Sequence, residues 1–249
     1  MIPGLVSVTF RRKTPLEVCR LCERAGLGAI EWGADVHALP HGQNLARIRR
    51  MSADYGLAVC SYGSYWRAGQ PLDELHACMD AACTLETDTV RIWGGTKRSS
   101  DAEGERAVLV EILLRAAEEA RSRSLKLALE YHDGTLTDSR QSVQRLIKET
   151  ACASDCLRFH WQPRFDWTPE ECLLSLTDVQ PRLAHIHTFT WAVEKGYITR
   201  LPLAAGERLW KSVFSSPADT ACALLEFVQS DDEEAFLRDA RTLRGWLKS

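Results

Sequence analysis

The sequence predicts an α/β protein folded as a single (β/α)8 barrel, and three observations carry that expectation. A length of 249 residues is usual for such a barrel. Short runs rich in Val, Ile and Leu alternate with longer stretches of helical periodicity from one end of the chain to the other. Eight such runs can be drawn, the number that a closed parallel barrel needs. A doubly wound open sheet is the competing topology, but no glycine-rich fingerprint follows the first strand.

The first strand is expected over 4–10 (GLVSVTF) and the first helix over 15–25. Thr14 caps this helix and Pro15 opens it, because proline at the first helical position gives up an N–H that has no partner there. Gly26 stops it, as a residue free to turn left-handed should. Strand 29–33 (AIEWG), helix 43–55 with Gly56 as its stop, and strand 58–63 (AVCSYG) follow. Helix 71–86, strand 89–94, helix 104–124 and strand 126–132 continue the alternation. Thr137 is the expected cap of helix 138–149, and Thr168 with Pro169 opens helix 168–179 after the strand at 157–162. Beyond the strand at 183–189, the stretch 190–217 shows no long helical period and reads as an extended loop over the barrel mouth. Strand 222–228 and helix 233–247 come last, and no linker or charge block divides residues 1–249, so one domain is expected.

With 45% hydrophobic and 26% charged residues, the composition is that of a globular protein able to bury a large core. A formal charge of -3 supplies no broad basic face, which argues against nucleic-acid binding and for a small-molecule partner. No apolar run approaches ~20 residues, and the charges at the N-terminus follow a short apolar strand instead of preceding a signal core, so no membrane association and a cytoplasmic location are expected. The nine cysteines fall largely on helical and strand patterns and read as reduced thiols. CRLC at 19–22 has a metal-like spacing, but no second Cys/His pair completes a tetrahedral set.

Four of the expected strands end on a residue able to hold a cation: ALEYH (128–132), RFHWQ (158–162), AHIHT (184–188) and ALLEF (223–227). The candidate ligands are Glu130, Gln162, His187 and Glu226. Ligands carried at the ends of successive strands are what a parallel barrel presents around its open mouth. Side chains alternate along a strand, so Glu130 shares a face with Ala128 and His132, Gln162 with His160, and His187 with His185. Two carboxylates, an imidazole and an amide oxygen give a mixed O/N shell that suits Mn²⁺, Mg²⁺, Zn²⁺ or Co²⁺. An unpaired ionised carboxylate resists burial, so each Glu needs a metal or a cation such as Arg91 beside it.

The segments AIEWGADVH (29–37), SYGSYWR (61–67), VRIWGG (90–95), LALEYHDGTLTD (127–138), WQP (161–163), HIHTFTW (185–191) and LLEFV (224–228) resemble the sugar phosphate isomerase/epimerase group of xylose-isomerase-like TIM barrels over essentially the whole chain. The resemblance implies a divalent metal held by Glu130, Gln162, His187 and Glu226, with Gln162 standing where the group usually has Asp. It also implies that Glu130 and Glu226 move the substrate's proton from opposite sides, and that such barrels are often homodimers. Substrate contacts are expected from Glu31, His37, Trp66, Arg91, Trp93, His132 and Arg200, with Lys195 as a further rim residue. Trp32, Trp161 and Trp191 also lie at or beyond strand ends, where a flat ring could stack on a sugar. His185 is expected deeper than His187, orienting its neighbours, and His41 and His76 on the surface.

A cation bound to a carbonyl and an adjacent hydroxyl acidifies the intervening C–H and stabilises the enediolate formed on its removal. Return of the proton to the opposite face epimerises a sugar, sugar acid or cyclitol; return to the next carbon isomerises it; loss of hydroxide dehydrates it. The leading expectation is a metal-dependent isomerase or epimerase. The alternatives are a dehydratase or lyase on the same scaffold, or a catalytically weak binding barrel in which Gln162 has replaced a true ligand. A hydrolytic endonuclease is disfavoured by resemblance, because its relatives draw His and carboxylates from most strands, whereas the third and fourth strands here offer Ser, Tyr, Arg and Trp. No phosphate-cradling glycine loop is present, so the substrate is expected to be unphosphorylated.

Overall fold

The computed structural model describes residues 1–194, 196–215 and 222–248. Eight parallel strands close into a barrel: β1 (Ile2–Val6), β2 (Ala29–Gly33), β3 (Ala58–Arg67), β4 (Thr89–Trp93), β5 (Lys126–Glu130), β6 (Leu157–Trp161), β7 (Leu183–Thr188) and β10 (Cys222–Leu225). Each pairs with the next in that order, and β10 returns to β1. Eight helices are described: α1 (Pro15–Ala25), α2 (Leu45–Asp54), α3 (Leu72–Leu85), α4 (Arg106–Ser122), α5 (Arg140–Glu149), α6 (Pro169–Val179), α7 (Glu207–Phe214) and α8 (Glu233–Trp246). The protein is therefore a (β/α)8 TIM barrel. No described helix is long and apolar enough to cross a membrane.

Local chemistry accounts for most element boundaries. Thr14 and Thr168 each form a capping box, with Glu17 and Glu171, and a proline follows each cap. Gly26 and Gly56 take φ of 65° and 67°, the left-handed conformation that only glycine adopts without strain. The expected cap Thr137 is replaced by Ser139, whose hydroxyl accepts the Ser142 N–H. Thr137 instead donates to the Glu130 carbonyl at 2.5 Å and so braces the end of β5.

Two expectations need larger correction. Strand 4–10 is only Ile2–Val6, followed by a 3-10 turn over Ser7–Phe10. The Ser7 hydroxyl accepts the Gly33 N–H and the Thr9 hydroxyl accepts the Phe227 N–H, so side chains take over from the strand ladder there. The described part of the stretch 190–217 is not an open loop: β8 (Thr190–Glu194) and β9 (Tyr197–Leu201) form an antiparallel hairpin. A 3-10 turn (Leu203–Gly206) and α7 follow, and Trp210 of α7 is buried with its indole N–H on the Phe189 carbonyl. Lys195 lies outside the described residues.

Between the sheet and the helices sits the apolar layer. Trp32 and Trp161 belong to it, their indole N–H groups donating to Ser52 on α2 and Ser175 on α6. They pack outward and do not reach the mouth. All nine cysteines are free, six of them buried.

Candidate metal centre

Two register shifts govern which polar side chains meet inside the barrel. Between β2 and β3, Ile30 faces Val59 but Glu31 faces Ser61, leaving Cys60 as an extra residue. Between β6 and β7, Phe159 faces Leu183 but His160 faces His185, leaving Ala184 extra. The first shift sets the Ser61 hydroxyl on Glu31, and the second brings His160 beside His185 and His187.

His187 sits at the centre, fully buried on β7. Its Nδ1 lies 3.1 Å from Glu226 Oε2, 3.2 Å from Gln162 Oε1 and 3.6 Å from Glu130 Oε1. Glu130 closes β5, Gln162 and Glu226 stand one residue past β6 and β10, and the four therefore share the C-terminal end of the barrel. Gln162 Nε2 donates to the Tyr131 carbonyl at 2.6 Å, which turns its Oε1 toward His187. The other Glu130 oxygen accepts from Arg91 Nη1 and from the Trp93 indole. One oxygen of Glu130 is thus anchored while the other faces the cluster.

The electrostatics of this group favour a positive charge at its middle. Burial opposes ionisation of Glu130, but Arg91 and then His187 outweigh it and hold its pKa well below the usual carboxylate range. Burial likewise opposes ionisation of Glu31, and Arg91 followed by His160 and His187 keeps it charged. Burial disfavours the imidazolium of His187, yet Glu226, Glu130 and Glu31 together raise its pKa well above the ordinary value. Arg91 is held protonated by Glu130 and Glu31 against a large burial penalty. Three carboxylates thus surround one fixed cation and one imidazole drawn toward protonation.

The donor set fits a divalent cation. Metal–oxygen and metal–nitrogen bonds of about 2.1 Å set neighbouring donors roughly 3.0–3.5 Å apart, and the separations from Nδ1 fall on or just beyond that range at 3.1–3.6 Å. Glu130, His187 and Glu226 are all buried, with donor atoms within 4.8 Å of one another. A second soft-donor cluster, Cys60, His185 and Cys222, lies deeper in the barrel. Its imidazole is already engaged on both sides, by the Cys222 N–H at 3.1 Å and the Cys60 carbonyl at 2.9 Å, so it reads as a structural brace.

Above the cluster opens a cavity of about 350 Å³ whose lining includes Glu130, Gln162, Glu226 and Arg91. Trp93 lines it with His132 stacked on its indole at 4.2 Å, and Arg67 covers Trp93 at 3.6 Å. Tyr65, Phe165, Phe189, Trp191 and Phe227 complete an aromatic wall. Trp191 stacks on Phe189 at 4.1 Å from the hairpin, so the hairpin supplies part of that wall.

The expected substrate contacts divide. Arg91, Trp93 and His132 line the cavity. Glu31 lies on the far side of His187 and does not line it. His37 is buried outside the barrel, bonded to the Ser7 hydroxyl and the Lys13 carbonyl. Trp66 packs with its indole N–H on the Pro71 carbonyl, and Arg200 pairs with Asp231 over the Phe227 ring. These three do not line the cavity. Tyr65, Arg164, Phe165, Phe189 and Phe227 reach the cavity without having been singled out in the sequence. Phe227 has a positive φ of 50° immediately after Glu226, a strained turn with no glycine to mark it.

Among curated proteins none matches this chain in sequence. In structure it is similar to a probable 3-DHS dehydratase, AsbF, from Bacillus anthracis, with a TM-score of 0.80 and 18% identity over 98% of this chain and 99% of that one. It is also similar to a xylose isomerase-like TIM barrel protein from Mycobacterium smegmatis in complex with magnesium (TM-score 0.72, 14% identity, 99% and 96% covered). A third similar structure is D-psicose 3-epimerase with D-tagatose from Clostridium cellulolyticum H10 (TM-score 0.65, 12% identity, 100% and 98% covered). Residues 19–214 match the family model described as xylose isomerase-like TIM barrel, and the chain belongs to that family.

Proposed function

We propose that the protein is a divalent-metal-dependent isomerase or epimerase acting on an unphosphorylated sugar, sugar acid or cyclitol, with residues 1–249 working as one domain in the cytoplasm, as a homodimer. The observation that carries this reading is the convergence of Glu130, Gln162 and Glu226 on His187 Nδ1 at 3.1–3.6 Å beneath an open cavity. Glu130, Gln162, His187 and Glu226 would hold Mn²⁺, Zn²⁺, Co²⁺ or Mg²⁺. Such a cation supplies the charge that acidifies a C–H beside a carbonyl and stabilises the enediolate left on its removal.

The chain's own groups do the rest. Glu226 borders the cavity and takes the proton; Glu130, on another strand across the cluster, returns one. Arg91 and Trp93 fix Glu130 by its second oxygen, so the carboxylate keeps its aim through the reaction. The aromatic wall excludes water and offers flat faces to a ring.

The test is proton exchange. Metal-loaded protein in D₂O is incubated with ketoses, inososes and sugar acids, and deuterium at the carbon beside the carbonyl is followed by NMR. Exchange that Glu226→Gln abolishes is the expected result; no exchange with any of these substrates sinks the proposal in favour of a binding barrel. A second reading, dehydration on the same site, is favoured by the cavity's many aromatic rings, which suit a ring that is becoming planar and unsaturated. Its product is distinguished by ultraviolet absorbance.

A further inference from the structure

Glu31 is a buried acid inside the barrel that the proposed proton transfers leave unused. It is fully buried on β2 and does not line the cavity, which removes it from contact with substrate. Its Oε1 faces His187 Nε2 at 3.6 Å, and neither atom has a hydrogen-bond partner among the described residues. The opposite nitrogen of the same ring, Nδ1, faces Glu226, Gln162 and Glu130.

The carboxylate is immobilised from three sides. Ser61, aimed by the strand bulge, donates to Oε2, and Arg91 Nε lies 3.1 Å from Oε1. Gly63 closes the third side, because a Cβ there would come within 2.6 Å of Glu31 Oε1 and 3.0 Å of Arg91 Nη2. A group this constrained presents an anion at one fixed point behind the imidazole.

An imidazole that gives its Nδ1 lone pair to a cation carries its proton on Nε2. A buried N–H without an acceptor costs about 1–3 kcal/mol, and Glu31 Oε1, ion-paired with Arg91 but accepting no hydrogen bond, is the acceptor facing it. We propose that Glu31 is a positioning residue that holds His187 in the Nε2-protonated form and so sets the cation affinity of the cluster, a role that rests on the reading of Glu130, Gln162, His187 and Glu226 as ligands. Carboxylates behind metal-binding histidines characteristically change metal affinity by about 10- to 100-fold when removed.

The test titrates Mn²⁺ alone into purified wild-type protein and into Glu31→Gln, with circular dichroism to establish that the variant is folded. Wild-type binding with about 10- to 100-fold weaker binding by Glu31→Gln is the expected result. Wild-type binding with unchanged affinity in the folded variant overturns the role of Glu31 and leaves the cation site standing; no binding by wild type overturns both. Because Glu31→Gln also strips a partner from Arg91, a measurement on the unaltered protein runs beside it. Long-range ¹⁵N–¹H correlation spectra of Mg²⁺-loaded wild type should show His187 protonated at Nε2, and a proton on Nδ1 refutes the proposal whatever the variant does.

Discussion

Replacing Arg91 by Met tests how the barrel tolerates its buried carboxylates. Arg91 is 2% exposed, pairs with Glu31 at 3.1 Å and donates to Glu130, so one guanidinium compensates two anions. Met approximates the stem but leaves both carboxylates facing an imidazole and each other. Removing one partner of a buried pair costs on the order of 3–5 kcal/mol. For a protein of this size that converts to a fall in Tm of roughly 6–20 °C. The loss is partly reversible in two ways, of which only the first is foreign to a simple packing defect. Lowering the pH lets a carboxylate protonate, and a divalent cation at 100 times its Kd returns about 2.7 kcal/mol to whatever state binds it. The assay is thermal unfolding followed by circular dichroism, with and without Mn²⁺, for wild type and Arg91→Met. A Tm within 2 °C of wild type, or a variant that Mn²⁺ does not raise, refutes the view of Arg91 as the counter-charge for a cation-binding cluster.

Gln162→Asp should tighten Mn²⁺ binding by about tenfold, since a charged oxygen replaces a neutral one; calorimetry showing equal or weaker binding would mean that Gln162 Oε1 is not a donor. Gly63→Ala should destabilise the fold by roughly 1–3 kcal/mol by pushing Glu31 and Arg91 apart, read as a lower urea midpoint with an unchanged slope, and a neutral effect would show that the pair has room to move. For cation-free protein, Glu31 and Glu130 have lowered native pKa values, so their contribution is present above about pH 4.3 and is lost as pH falls. His187 has a raised native pKa, so its contribution is full below about pH 6.5 and is lost as pH rises through the native value. Urea midpoints should therefore peak between these limits without metal, and saturating Mg²⁺ should remove the alkaline decline by replacing the proton; a decline that Mg²⁺ leaves intact contradicts the shared occupancy of the site by proton and cation.

Patterns of period two and 3.6 are local, which is why the barrel strands, the Thr-Pro helix starts at 14–15 and 168–169 and the strand-end residues Glu130, Gln162, His187 and Glu226 could be read from the chain. What could not be read depends on contacts between distant segments. TWAVE and YITRL alternate, but nothing local says that they pair with each other, and α7 buries little besides Trp210 and Val213. His37 follows β2, and Trp66 and Arg200 lie near the ends of β3 and β9, yet their side chains meet backbone carbonyls or Asp231. Glu31 is the sharper case. Strand parity puts it inside the barrel, but a single extra residue, Cys60, moves Ser61 opposite it and fixes its carboxylate behind His187 and away from the cavity. A bulge carries no residue signature of its own here, so the difference between an acid that touches substrate and one that braces a ligand lies in a one-residue offset between two strands.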